Sequence, residues 1–212
     1  MVDEQLRQRQ ITNERVLAAM YAVPRHAFVD DHLKHLAYND SPLPIGEGQT
    51  ISQPYIVALM TALLDPAPDA RVLEIGTGCG YQTAVLCELA AEVHSIEYHP
   101  SLAVHAGRTL ERIGCTGFDI HIGDGSQGLP DQAPFDGIVV TAAAPYIPGP
   151  LAAQLKRDGG RLVVPVANGK NQNLLVVTRS GDDFRTRRVI PVRFVPLVAE
   201  GGERLLVTVV AP

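Results

Sequence analysis

Apolar and polar positions change their spacing several times along the chain. From Asp3 to about Tyr21, Leu6, Val16, Leu17 and Met20 stand among polar helix formers, a pattern that predicts a polar helix with one modest apolar stripe. Pro24 ends it, and "DDHLKHLAY" predicts a second short helix. "NDSPLPIGEGQ", with two prolines and two glycines, reads as a loop. Ser52-Gln53-Pro54 has the form of a helix start with Ser52 as cap, the helix running on through "YIVALMTALL" until "PAPDA" breaks it. From Arg71 the pattern alternates between β-rich runs ("RVLEI", "VHSIE", "FDIHI", "GIVVT") and helical runs (Tyr81 to Ala91, Pro100 to Ile113), which predicts βαβ units. After "RLVVPV" the runs "NLLVVT", "FRTRRVI" and "LLVTVV" follow without helices, so antiparallel strands are expected there.

The fold class is therefore α/β: a doubly wound, mostly parallel Rossmann-like sheet with antiparallel C-terminal strands and an N-terminal helical segment. The expected organisation is a single domain over residues 1–212, with 1–48 as the N-terminal helical and loop segment and 49–212 as the core. A length of 212 residues with 46% hydrophobic content suffices for a full core. Eighteen Lys and Arg against 23 Asp and Glu give a net charge of −5 without a basic cluster, which argues against a nucleic-acid partner. Cys79, Cys87 and Cys115 are odd in number and lack Cys-x-x-Cys spacing, so neither a disulfide framework nor a metal site is expected. No apolar run approaches the ~20 residues that span a bilayer. The protein is expected to be soluble, unprocessed, cytoplasmic, monomeric and without a membrane partner.

The candidate chemistry centres on "EIGTGCGY". Gly76, Gly78 and Gly80 fall between a predicted strand and helix, where small residues let the backbone approach a ligand. A dinucleotide fingerprint would place its third glycine one position later, where Tyr81 stands, which weakens a nicotinamide reading. Glu97 closes the next strand 21 residues after Gly76, placed to accept from both hydroxyls of a ribose. Asp124, with Gly125 in "GDG" after the third strand, is expected beside the adenine edge. Glu74 is expected to set a negative charge near the loop, disfavouring pyrophosphate and favouring the cationic end of S-adenosylmethionine. Each acid alone could equally be an exposed strand end. Glu74, Glu97 and Asp124 together with the glycines favour the cofactor.

"VLEIGTGCGYQTAVL", "LPIGEGQTISQPYIVALM", "GDG", "APFDGIVVTAA" and "VRFVPLV" resemble the protein-L-isoaspartate O-methyltransferase family, from "VPRHAFV" to about Val198. The resemblance implies a repair enzyme that moves the methyl of S-adenosylmethionine to the free carboxylate of L-isoaspartyl residues in damaged proteins and peptides. It implies that Ser52 is the active-site residue and that Gln49, Thr50 and Ile51 touch the cofactor. Cys79 and Val198 depart from the family pattern, which often has serine and threonine there. Two other readings stay open: a methyltransferase of small carboxylic acids, and an S-adenosylmethionine sensor without turnover.

An isoaspartyl carboxylate is already ionised at neutral pH, so its methylation needs neither a general base nor a metal. The end of the fourth predicted strand, "VTAAAP", offers neither. If Ser52 caps a helix, its hydroxyl and the adjacent N–H groups would form an anion site; the plainer reading is a cap alone. His32 and His35 lack the Glu of a zinc motif and read as surface residues. Cys79, at a helix start, either has a lowered thiol pKa or is simply a small buried residue. Asn168-Gly169 is prone to deamidation and could make the chain its own substrate. A shielded methyl that must meet a protein-bound residue predicts mobility in "LPIGEGQ" or around "FVPLVAEGG".

Overall fold

The computed structural model describes residues 1–198. The expected "LLVTVV" strand and the end of the "FVPLVAEGG" segment lie outside the described residues. Five parallel strands carry the core: β3 (Arg71–Ile75), β4 (Glu92–Glu97), β5 (Phe118–Ile122), β6 (Gly137–Val140) and β7 (Asp158–Asn168). Two antiparallel strands, β8 (Asn171–Ser180) and β9 (Asp183–Val192), complete a seven-stranded sheet of order β5-β4-β3-β6-β7-β8-β9. Asn168 and Gly169 form part of the turn between β7 and β8, where Asn168 is exposed. β3 and β6 are buried almost throughout, as expected of central parallel strands, although β3 carries the acid Glu74 in its interior. The winding reverses beside β3, since β4 and β5 extend to one side and β6 and β7 to the other. Ligands bind at such switch points, outside the carboxyl ends of the strands.

Helices α2 (Pro54–Leu64), α3 (Tyr81–Cys87), α4 (Pro100–Arg112) and the short α5 (Gly149–Ala153) cover the sheet. The N-terminal segment differs from the predicted continuous helix. A tight turn of π and 3-10 helix over Val2–Arg9 stops at Gln10, whose φ of 66° is left-handed, and α1 (Glu14–Ala22) starts afresh. Asn13 caps α1 by accepting from the N–H groups of Arg15 and Val16 at 3.1 and 3.3 Å. Leu6, Leu17 and Met20 then join Ile51, Val57, Tyr81 and Leu110 in one buried cluster, so this segment shares the core of the rest.

Arg25 is buried within that packing, donating from Nε to the carbonyl of Ala37 at 2.7 Å with its guanidinium 4.7 Å from the Tyr81 ring centre. The second predicted helix is a 3-10 helix, Asp31–Leu36, with His32 and His35 exposed. The predicted "LPIGEGQ" loop is instead a small hairpin, β1 (Leu43–Gly46) paired with β2 (Gln49–Ile51). Gly46, Glu47 and Gly48 all turn through positive φ, which allows strands so short to reverse.

Candidate active site

β3 ends at Ile75 and the chain turns through Gly76, Gly78 and Gly80, at φ of 95°, 56° and 91°. At Gly76 more than backbone freedom is needed, because a Cβ there would stand 2.4 Å from Thr141 Oγ1. Thr141 follows β6, and its hydroxyl donates to the Gly76 carbonyl at 2.7 Å while lying 3.0 Å from that of Ile75. Two neighbouring strand ends are thereby tied together at the switch point.

Glu97 closes β4, buried, with one carboxylate oxygen accepting from Gly78 N–H at 2.8 Å and the other from His99 N–H at 2.9 Å. A carboxylate has about four acceptor positions, so a pair of ribose hydroxyls finds Glu97 already oriented. Gly125 is buried against Ile75, where a Cβ would come within 2.4 Å of Ile75 Cγ2. Gly76, Gly78, Glu97 and Gly125 line an open cleft, together with Gln49, Thr50, Ile51 and Ser52 from β2 and the residue after it. Ile75, Ile96, Tyr98 and His99 supply apolar and aromatic wall. Glycines that leave no room for side chains, a pinned acid and an apolar wall fit an adenosyl cofactor.

Two predicted contacts are placed differently. Glu74 is not among the residues lining the cleft: it is fully buried, accepting from Thr83 Oγ1 at 2.5 Å and Ser95 Oγ at 2.7 Å. Ser95 in turn shares a 2.6 Å hydrogen bond with Thr77 of the loop. Burial pushes the Glu74 carboxyl up to about 8, against those two hydrogen bonds, so at neutral pH it is largely protonated and brings little negative charge to the loop. Asp124 does not line the cleft either. Its carboxylate accepts from Ser126 N–H at 2.8 Å, which fixes the turn that presents Gly125. Cys79 is buried, and its thiol is pushed up to about 11 by that burial, the reverse of a lowered value.

Ser52 is not a helix cap. Gln53 occupies that position at the start of α2, and the cap comes from Asp40, which accepts from Tyr55 N–H at 3.2 Å and from Gln53 Nε2 at 3.0 Å. The anion site expected at this helix start is thus filled by the chain's own carboxylate. Among the described residues the Ser52 hydroxyl has no hydrogen-bond partner. Ser52 lies between two spaces, since the cleft and a broad outer groove share Thr50, Ser52, Thr141 and Val195 as a doorway. Thr141, Asp40 and the Thr77–Ser95–Glu74 chain were invisible to sequence reasoning, although a Thr or Ser at a strand end is a usable signal. No group of three or more metal-ligating side chains occurs among the described residues.

The doubly wound sheet, with a glycine cradle and a pinned acid at its switch point, places this chain in the Rossmann-like class. Residues 1–202 match the family model for Protein-L-isoaspartate(D-aspartate) O-methyltransferase. The chain is 56% identical over 209 residues to protein-L-isoaspartate O-methyltransferase 2 of Shewanella sediminis, covering 96% of this chain and 85% of that one. It is 54% identical to the protein-L-isoaspartate O-methyltransferase of Methanoculleus marisnigri, over 95% and 91% of the two chains. A solved protein-L-isoaspartate O-methyltransferase aligns with a TM-score of 0.82 at 28% identity, covering 92% of this chain and 63% of that one. The chain belongs to the protein-L-isoaspartate O-methyltransferase family.

Proposed function

We propose that Ser52 holds the substrate carboxylate at the doorway between the two spaces, and that Gln49, Thr50, Ile51, Gly76, Gly78, Glu97 and Gly125 hold the cofactor. The enzyme is an S-adenosylmethionine-dependent methyltransferase of L-isoaspartyl residues in damaged proteins and peptides. The observation that carries the residue assignment is the uncommitted hydroxyl of Ser52, shared by cleft and groove. Bound S-adenosylmethionine would supply an electrophilic methyl that an ionised carboxylate oxygen accepts without a base, the methyl–sulfur bond breaking and S-adenosylhomocysteine leaving.

The remaining work is positional. Glu97 orients the ribose, the Gly76–Gly80 turn leaves room for the rest of the cofactor, and Ser52 donates to the carboxylate oxygen that does not react. Such positioning supplies roughly 7–11 kcal/mol in favourable cases. Glu74 and Asp124 act as positioning residues, through Thr77 and Gly125 respectively. In the same reading the protein works as a cytoplasmic monomer without a nucleic-acid partner, supported by its net charge of −5 and by three free cysteines suited to a reducing compartment. No helix among the described residues is long and apolar enough to cross a membrane.

Ser52→Ala tests the assignment. The expected result is a fall in kcat of about 10²-fold, the scale for removing one positioned donor, with fold and S-adenosylmethionine affinity retained. Full activity in the variant would remove Ser52 from the mechanism.

A further inference from the structure

The outer groove, open to solvent, is lined by apolar and aromatic surface from Pro42, Tyr55, Ile190 and Phe194 and by two cations, Arg9 and Arg193. No carboxylate is among its described lining residues. Arg9 is held in place: its guanidinium lies 3.4 Å over the Tyr55 ring and pairs with Asp40 from behind the wall. The Arg9 side chain is 45% exposed and lines the groove. Arg193 is exposed and makes no ion pair with any described residue, which leaves the groove one positive charge in excess. Apolar walls strengthen the field of such a charge along the path an incoming peptide must take.

We propose that Arg193 and Arg9 are specificity-determining residues, and that the groove prefers isoaspartyl peptides carrying an acidic side chain within two residues of the isoaspartate. The proposal rests on the proposed function, in which Ser52 at the doorway holds the isoaspartyl carboxylate and the outer groove takes the rest of the peptide. Neither arginine takes part in methyl transfer, so the preference falls on KM and leaves the transfer step alone.

The test uses synthetic isoaspartyl peptides identical except for Glu, Gln or Lys two residues from the isoaspartate, on either side, with the full-length protein. KM is expected to rise from Glu to Gln to Lys on at least one side, by about two- to fivefold per step, as for exposed charge pairs, and to converge at high salt. Arg193→Glu should reverse the order and Arg9→Gln should narrow the spread. A flat or reversed series in the wild type, or an order unchanged by Arg193→Glu, overturns the proposal. Absence of transfer to every isoaspartyl peptide would instead overturn the assigned activity, and this inference with it.

Discussion

Glu74 shows how far a residue's neighbours can alter what its identity suggests. An acid two positions before a glycine loop reads as a charge for the cofactor, yet β3 is central and Glu74 is completely buried. The folded protein keeps its proton up to a pH of about 8, whereas the unfolded chain releases it near 4.5. Between those values the folded state binds more protons, so this group's contribution to stability falls as pH rises. Glu74→Gln should abolish that decline: urea midpoints at pH 5 and pH 9 should diverge less in the variant than in the wild type, and parallel profiles would contradict the buried, protonated acid. Thr141 makes the complementary point, because its partner Gly76 lies 65 residues away and no local pattern reveals the pairing. Thr141→Val keeps the shape and removes the hydroxyl that holds the loop. We expect the Kd for S-adenosylmethionine to rise roughly tenfold, the scale of a net hydrogen bond or two; unchanged affinity by calorimetry would leave the clamp without function.

Among the elements, those set by local period were legible and those set by contact were not. The strands and helices from Arg71 to Arg112 follow from alternating runs, and the glycine loop from its position between two of them. The start of α2 was placed nearly correctly but its cap was not. A serine before Gln-Pro is a plausible cap by sequence, whereas Asp40 reaches Gln53 and Tyr55 across 13 and 15 residues. Asp40→Ala should therefore destabilise the protein by about 1–2 kcal/mol in urea denaturation, as for loss of a cap, while Ser52→Ala should leave stability nearly unchanged. The opposite ranking would restore Ser52 as the cap. The hairpin of β1 and β2 was hidden because strands of four and three residues, one with Pro44 and Gly46, carry no usable alternation.

At the scale of the molecule, the fold makes the site by bringing three distant stretches to one switch point. The hairpin supplies Gln49 to Ser52, the parallel sheet supplies the cradle and Glu97, and the segment after β9 supplies Val195 at the doorway. That segment is anchored across the sheet end, since Ala143 N–H donates to the Val195 carbonyl and Leu197 N–H to the Ala143 carbonyl, each at 2.8 Å. The class of fold could be anticipated from the alternation of runs, and Gly76, Gly78 and Glu97 of the cleft lining from motif spacing, whereas Gln49 to Ser52 were pointed to by the family resemblance alone. The doorway could not be anticipated, because it exists only where the hairpin, the end of β6 and the segment after β9 meet. In the proposed function this doorway admits the carboxylate of an isoaspartyl residue to the methyl donor. The most direct measurement is transfer of labelled methyl from S-adenosylmethionine to two peptides that differ only in L-isoaspartate or L-aspartate at one position. Transfer to the isoaspartyl peptide alone is the predicted result; equal transfer to both, or to neither while cofactor binding is intact, would contradict it.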